Sequence, residues 1–247
     1  MADPAPDTRL APAGEPGAGF GLYVHWPFCQ AKCPYCDFNS HVAEVIDQSR
    51  WARALAAEVA FAAERTGERE LTSVFFGGGT PSTMAPETVH AVMEAVRAGW
   101  RCAADLEVTM EANPTSVDAG RFAAYAAAGV TRLSLGVQAM NDTDLRRLGR
   151  LHSAAEARAA FDVARAHFAN VSFDLICARQ DQSLEAWRSE LSEALAMAVD
   201  HLSLYQLTIE PGTAFAERLA RGGLTGLPDD ELGAALYEET VSACAGA

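Results

Sequence analysis

The chain has 247 residues, 49% of them hydrophobic, which is enough for a sizeable core in one large α/β domain or two small ones. Its 19 basic and 33 acidic residues give a net charge of −14, and such a surface repels nucleic acid and anionic membranes. The sequence contains neither a run of about 18 apolar residues nor a secretory signal, so we expect no transmembrane segment and a cytoplasmic location.

The first segment of the chain, residues 1–19, is rich in proline and glycine and shows no periodic apolar face. That composition is typical of a flexible segment, because too little apolar surface is available for burial. We therefore expect a flexible N-terminal tail at 1–19 and a single core domain at 20–247.

After this tail, short runs of β-branched or aromatic residues alternate with alanine-rich stretches. The alternation predicts strands separated by helices, and strands joined in this way pair in parallel. The sequence therefore indicates an α/β fold with a parallel sheet. The predicted strands are 22–26, 72–76, 107–110, 132–136, 172–176 and 202–208.

The stretches between these strands carry helical signals. Trp51, Leu55 and Val59 recur at a spacing of four residues, which predicts one apolar face of a helix. Pro86 suits the first turn of another helix, and Ser153 with Glu156 has the pattern of a capping box. We expect helices to begin at both places.

Polar and glycine-rich motifs follow or end the predicted strands. Because the carboxyl ends of parallel strands meet at one edge of a sheet or barrel, these motifs are expected to form one site. In chain order they are the segment 29–36, the segment 77–81, Glu111, Gln138, Asp174, and Thr208 with Glu210.

The segment after the first predicted strand contains three closely spaced cysteines. Cys29, Cys33 and Cys36 can wrap three corners of an iron–sulfur cube, whose irons are normally held by four thiolates. The next cysteine is Cys102, so one iron is left for an exogenous ligand. The alternative from spacing alone is a Cys₃His zinc site that uses His25 or His41.

The other three cysteines are scattered through the chain. We expect Cys102, Cys177 and Cys244 to be small buried side chains without a chemical role.

The three-cysteine loop, with Tyr23 six residues before it and Tyr35 within it, resembles that of the radical S-adenosylmethionine (SAM) superfamily. The order of the later motifs is similar to that of the HemN/HemW family, which contains oxygen-independent coproporphyrinogen III oxidases and heme chaperones. These motifs are Phe76-Gly-Gly-Gly-Thr-Pro-Ser82, Glu111-Ala-Asn-Pro114, Leu133-Ser-Leu-Gly-Val-Gln138, Leu148-Gly-Arg-Leu-His152, Phe173-Asp-Leu-Ile176 and the segment 201–213.

The resemblance implies a partial (β/α)₆ barrel, related to the TIM barrel, with helices outside parallel strands. It also implies a [4Fe-4S] cluster held by Cys29, Cys33 and Cys36, with SAM on the open iron. The SAM-binding residues that it implies are Tyr23, Tyr35, Gly78, Gly79, Thr80, Glu111, Gln138, Arg150, Asp174 and Thr208.

Two functions are compatible with this resemblance. An oxidase would use a SAM-derived radical to convert porphyrinogen propionates to vinyl groups, with flavodoxin or ferredoxin as the electron donor. A chaperone would bind heme and deliver it to heme-accepting proteins. The oxidase branch carries a fourth cysteine where this chain has Phe38, which favours the heme chaperone.

The sequence departs from the family in two places. The segment 174–182 lacks the Gly-Leu-Pro-Gly turn that many relatives carry, and Arg179 and Asp181 stand in that region. The chain also has no His-Asn-x-x-Tyr-Trp motif, which the chaperone branch carries further downstream. We therefore expect a C-terminally truncated family member with reduced heme affinity.

Overall fold

The computed structural model describes residues 19–66, 68–198 and 201–247. Apart from Gly19, the expected N-terminal tail lies outside these residues. All six predicted strands are present, and two short strands are added to them. The strands are β1 (Phe20–Trp26), β2 (Phe28–Cys29), β3 (His41–Val42), β4 (Glu70–Gly78), β5 (Arg101–Ala112), β6 (Arg132–Gln138), β7 (Asn170–Cys177) and β8 (Leu202–Gln206).

The helices follow the predicted pattern. Trp51, Leu55 and Val59 face the core from α1, Pro86 opens α2, and Ser153 closes a capping box with Glu156 at the start of α5. The helices are α1 (Gln48–Thr66), α2 (Pro86–Gly99), α3 (Ala119–Ala128), α4 (Asp142–Arg147), α5 (Ala154–His167), α6 (Leu184–Met197), α7 (Ala214–Ala220) and α8 (Asp230–Ala245). None of the described helices combines the length and hydropathy that a membrane crossing requires.

Six strands form one parallel sheet in the order β1-β4-β5-β6-β7-β8. The sheet curls into a half-barrel with helices around it, which confirms the predicted partial (β/α)₆ barrel. The short strands β2 and β3 pair separately, at the carboxyl end of β1.

The two faces of this sheet differ in chemistry. On β6, Leu133, Leu135 and Val137 are buried in the core between the sheet and the helices. The residues that alternate with them face the inside of the half-barrel, where Arg132 Nη2 donates to Ser172 Oγ (2.9 Å). A parallel sheet covered on both faces would be apolar on both, so the polar face indicates that the inside holds a site.

Five of the six predicted strands are longer in the structure, by one or two residues at most ends and by six at the start of β5, whereas β8 is shorter than predicted. β5 begins at Arg101 rather than at 107, because its first residues pair with Glu70 and Leu71 before a bulge resets the register at Ser73. β8 ends at Gln206, so Thr208 lies in the loop that follows the strand. Backbone pairing decided the start of β5 and the end of β8 against local propensity: Arg101 and Cys102 are paired although strand propensity does not favour this stretch, and the β-branched Thr208 lies beyond the last pair, Cys177 with Gln206.

The expectation that all three scattered cysteines are buried is wrong for two of them. Cys177 is buried, Cys102 is half-buried and Cys244 is exposed. On α8, Ala243 packs against the core, and Cys244 points about 100° further around the helix and therefore into solvent.

The segment that departs from the family is organised around a buried arginine. The side chain of Arg179 is 3% exposed and forms ion pairs with Glu190 and with Asp144 (2.9 Å). Its Nη1 donates to the carbonyl oxygens of Ile176 (2.6 Å) and Gln138 (3.4 Å). One side chain thus holds the loop after β7 against the end of β6.

This loop also contains two residues in the left-handed region, Ala178 (φ 59°) and Asp181 (φ 56°). Side chains other than glycine adopt that conformation at a cost of about 1–3 kcal/mol each, and only where the surroundings enforce it. The ion pairs of Arg179 and the bond from the Asp181 N–H to the Gly226 carbonyl (2.6 Å) supply that enforcement.

Replacing Arg179 with methionine removes the shared cation and leaves the carboxylates of Glu190 and Asp144 without it. Breaking a buried ion pair from one side leaves an uncompensated charge, so we expect the free energy of unfolding to fall by about 3–5 kcal/mol. Urea unfolding followed by circular dichroism measures this loss.

The matched control is Arg188→Met, because Arg188 pairs with Glu239 on the surface (2.6 Å). Exposed ion pairs contribute little to stability, so the free energy of unfolding of this variant should remain close to that of the original chain. Equal stability of the Arg179 and Arg188 variants would show that the buried ion pairs do not stabilise the fold.

Candidate functional site

A cavity of about 430 Å³ opens where the strands end. It is lined by residues from the cysteine loop, from the ends of β4 to β8 and from the turn after α4, so the parallel topology brings the predicted motifs together. The predicted site residues that line it are Cys29, Cys33, Tyr35, Cys36, Gly78, Gly79, Thr80, Glu111, Gln138, Arg150, Asp174 and Thr208.

The cysteine loop is anchored at several points. Its two ends meet because Phe28 and Cys29 pair with His41 and Val42. In the middle, the carbonyl of Pro34 accepts from the Phe215 N–H (2.8 Å). A Cβ on Gly149 would lie 2.6 Å from the Pro34 ring, so glycine at this position lets the turn after α4 pack against the loop.

Two of the three thiols receive hydrogen bonds from side chains. Thr80 Oγ1 donates to Cys29 Sγ (3.5 Å), and Arg150 Nη1 donates to Cys33 Sγ (3.3 Å). Burial raises the pKa of Cys36, and a hydrogen bond from the Phe38 backbone partly offsets that effect. Each sulfur therefore has at least one donor beside it, which suits thiolates that bind metal.

The glycines at the carboxyl end of β4 and directly after it let the backbone approach the cysteine loop. A Cβ on Gly79 would lie 2.6 Å from the Phe28 carbonyl oxygen and 3.0 Å from Cys29 Sγ. Gly78 adopts a left-handed conformation (φ 114°). A side chain at Gly79 would fill the space beside the thiol, so this backbone can form one wall of a cluster and ligand site.

The opposite part of the cavity is acidic. Burial and the nearby charge of Asp174 raise the pKa of Glu111 to about 7, and a bond from the Gly78 N–H (3.2 Å) opposes the shift. Burial also raises the pKa of Asp174, although Ser134 Oγ donates to it (3.1 Å). Two desolvated carboxyls at one site are suited to a ligand that brings a positive charge or hydroxyl groups.

Arg150 provides the positive charge of the cavity. Its Nη2 donates to the Gly136 carbonyl (2.8 Å), and its buried Nε has no hydrogen-bond partner among the residues that the structure describes. The side chains of Tyr35 and Cys33 lie beside it and favour its charge. Gln138 faces the same cavity with a left-handed backbone (φ 73°), a conformation that marks functional sites when the residue is not glycine.

Two predicted residues lie at the margin of the site. Tyr23 does not line the cavity; its ring is 55% exposed and packs against Phe75, and its hydroxyl contacts His25 Nδ1 (3.1 Å). Thr208 reaches the cavity from the loop after β8 rather than from the strand itself.

The two histidines of the mononuclear zinc alternative have other surroundings. Within residues 19–66, 68–198 and 201–247, no three His, Cys, Asp or Glu side chains are gathered around one metal position, and this holds for the three thiols as well. His25 Nε2 instead contacts the Asn39 carbonyl (2.9 Å), and His41 is exposed. Three thiols around a shared cavity suit a cube, where each thiolate binds a different iron.

Some residues of the site lie within the sequence motifs but are not among the predicted site residues. Ser134 binds Asp174, and Tyr205 lines the cavity from the end of β8. Alternation along β6 could have identified Ser134, because it separates the buried Leu133 and Leu135. The motif 201–213 contains Tyr205 but does not show that its side chain reaches the cavity, since that depends on the register of β8 against β7.

Comparison with known proteins gives concordant matches. Residues 23–189 match the family model of the radical SAM superfamily. The chain is 44% identical over 238 residues to radical S-adenosyl methionine domain-containing protein 1, mitochondrial, of Bos taurus, covering 96% of this chain and 54% of that protein. It is 41% identical over 212 residues to the heme chaperone HemW of Escherichia coli K12, and the match covers 85% of this chain and 55% of that protein.

Among solved structures, the coproporphyrinogen III oxidase HemN of Escherichia coli is similar with a TM-score of 0.78 and 25% identity, covering 92% of this chain and 52% of that chain. The chain thus spans about half the length of these relatives. The family match extends over more than half of the chain, from Tyr23 on β1 to α6. The chain therefore belongs to the radical SAM superfamily and, within it, to the HemN/HemW family.

Proposed function

We propose that this chain forms the cluster- and SAM-binding core of a heme chaperone, which takes heme as cargo and passes it to heme-accepting proteins. Membership of the radical SAM superfamily implies a [4Fe-4S] cluster and SAM. The cytoplasmic location expected from the sequence stays a prediction, because some similar relatives are named as mitochondrial.

The observation that carries the chaperone proposal is the side chain of Phe38. It stands where the oxidase branch carries a fourth cysteine, and it lines the cavity with 59% of its surface exposed. A phenylalanine can neither bind a metal nor supply the thiol of that cysteine. Relatives named heme chaperone, at about 40% identity, support the same choice.

The thiols of Cys29, Cys33 and Cys36 would hold three irons of the cluster. The glycine wall beside Cys29 and the donors at the sulfurs support this assignment. If SAM is cleaved, the cluster would supply the electron, and flavodoxin or ferredoxin is the class of donor that would reduce it.

SAM would lie between the two charged parts of the cavity. The carboxyls of Glu111 and Asp174 would accept hydrogen bonds from its ammonium and ribose hydroxyls, and Arg150 would pair with its carboxylate. The backbone at Gly78, Gly79 and Thr80 would contact its amino-acid portion. The rest of the SAM site would be lined by Gln138, Tyr35 and Thr208. Tyr23 would belong to the site from a position just outside the cavity.

The alternative function is that of the oxidase. It is supported by the similarity of this fold to that of HemN. The two functions separate in one experiment on the anaerobically reconstituted protein, in the longest form that its gene encodes. We expect one heme per chain by Soret titration, and no conversion of coproporphyrinogen III in the presence of SAM and a reductant. An authentic oxidase assayed in parallel is the positive control. Turnover to protoporphyrinogen IX would refute the chaperone proposal.

A second prediction concerns the cluster ligands. Cys33→Ser should lose most of the iron and labile sulfide after anaerobic reconstitution, because one iron loses its thiolate. Iron and sulfide analysis with the visible spectrum measures this. Cys244→Ser is the matched control, since Cys244 is exposed on α8 and should be dispensable. A colourless original chain that holds one zinc would contradict the assignment.

A third prediction concerns pH. The pKa of Glu111 is about 7, so this carboxyl is mainly protonated at pH 6 and ionised at pH 8. The ionised form binds an ammonium or a ribose hydroxyl better, so SAM affinity should rise about tenfold over that range. Equilibrium dialysis with the reconstituted protein measures the affinity.

Two variants make this test specific. Glu111→Gln should flatten the pH dependence, whereas Glu107→Gln should keep it, because Glu107 contacts Thr109 and does not line the cavity. An unchanged pH dependence in the Glu111 variant would exclude this carboxyl as its source.

A further inference from the structure

The three cysteine sulfurs have different hydrogen-bond donors. Cys29 faces the hydroxyl of Thr80, Cys33 faces the guanidinium of Arg150, and Cys36 faces the backbone of Phe38. A hydrogen bond to a cluster thiolate stabilises the more negative, reduced state and so raises the reduction potential. The strength of these donors is therefore a property that the chain can set.

We propose that Arg150 and Thr80 tune the reduction potential of the cluster through their hydrogen bonds to the Cys33 and Cys29 thiolates. This inference rests on the proposed assignment of the cluster to the three cysteines. It adds to Arg150 and Thr80 a role that is separate from any contact with SAM.

The position of Arg150 is rigidly defined. One arm of the guanidinium, Nη2, is held by the Gly136 carbonyl (2.8 Å), and this leaves Nη1 directed at Cys33 Sγ (3.3 Å). The turn that carries it is tight, because Gly149 has a left-handed conformation (φ 69°) and packs against Pro34 of the cysteine loop. The donor and the sulfur therefore belong to two segments that are packed together.

The electrostatics favour the same interpretation. A buried guanidinium requires anionic partners, since an uncompensated charge is strongly destabilising away from water. Nη1 of Arg150 lies 3.3 Å from the Cys33 sulfur. That sulfur carries a negative charge when it binds iron, so it is the anionic partner that the buried guanidinium requires.

Thr80 is a weaker donor in a well-defined place. Its own N–H donates to the Phe28 carbonyl (2.8 Å), and its carbonyl accepts from Thr83, so the backbone fixes the residue. The hydroxyl lies 3.5 Å from Cys29 Sγ. Because this donor is neutral, its effect on the potential should be smaller than that of the charged Arg150.

The test is a redox titration of the reconstituted protein without SAM, in which the reduced [4Fe-4S] cluster is followed by electron paramagnetic resonance. The measured couple is the one-electron reduction of the cluster by dithionite. We expect the midpoint potential of Thr80→Val to shift to more negative values, and that of Arg150→Gln to shift further. The midpoint potential of Thr80→Ser, which keeps the hydroxyl, should stay close to that of the original chain.

Arg147→Gln is the matched control for charge, because it removes one cation from the neighbouring helix, where Arg147 pairs with Asp181 (2.9 Å) outside the cysteine loop. Its potential should change less than that of Arg150→Gln. Potentials of Thr80→Val and Arg150→Gln equal to the original would overturn the proposal while leaving the cluster intact. A failure of the original chain to assemble a cluster would instead overturn the function on which the proposal rests.

Discussion

Parallel hydrogen bonding among six strands is the constraint on which the site depends. Because each of these strands runs in the same direction, their carboxyl ends meet at one rim of the half-barrel. Cys29, Glu111 and Arg150 are far apart in the sequence, yet they line one cavity at that rim. The helices return the chain to the opposite end between strands and cover the apolar outer face of the sheet.

The cavity has two electrostatic parts that differ in character. Glu111 and Asp174 form the acidic part, where burial favours the protonated carboxyls. Arg150 and the thiols form the other part, where a buried cation lies beside a sulfur that carries negative charge once it binds metal. A ligand with an ammonium and a carboxylate, as SAM has, is complementary to this arrangement when it spans both parts.

The loop after β7 shows how one fold accommodates a different sequence. Where many relatives have a Gly-Leu-Pro-Gly turn, this chain has Ala178 and Asp181 in left-handed conformations that glycine would adopt without strain. Arg179 holds the loop in place through buried ion pairs, and it also binds the carbonyl of Gln138 at the cavity. The strained loop and the cavity wall are therefore stabilised by the same side chain.

The sequence by itself determined the strand order along the chain, the three-cysteine loop and the family, because alternation, cysteine spacing and motif order are local patterns. Only the tertiary structure decided which donors face the sulfurs, since the contact of Arg150 with Cys33 joins segments that meet only when the half-barrel forms. It also decided that β8 stops before Thr208 and that Tyr23 stays outside the cavity. Strand register and side-chain burial set these features, and both depend on partners far away in the chain.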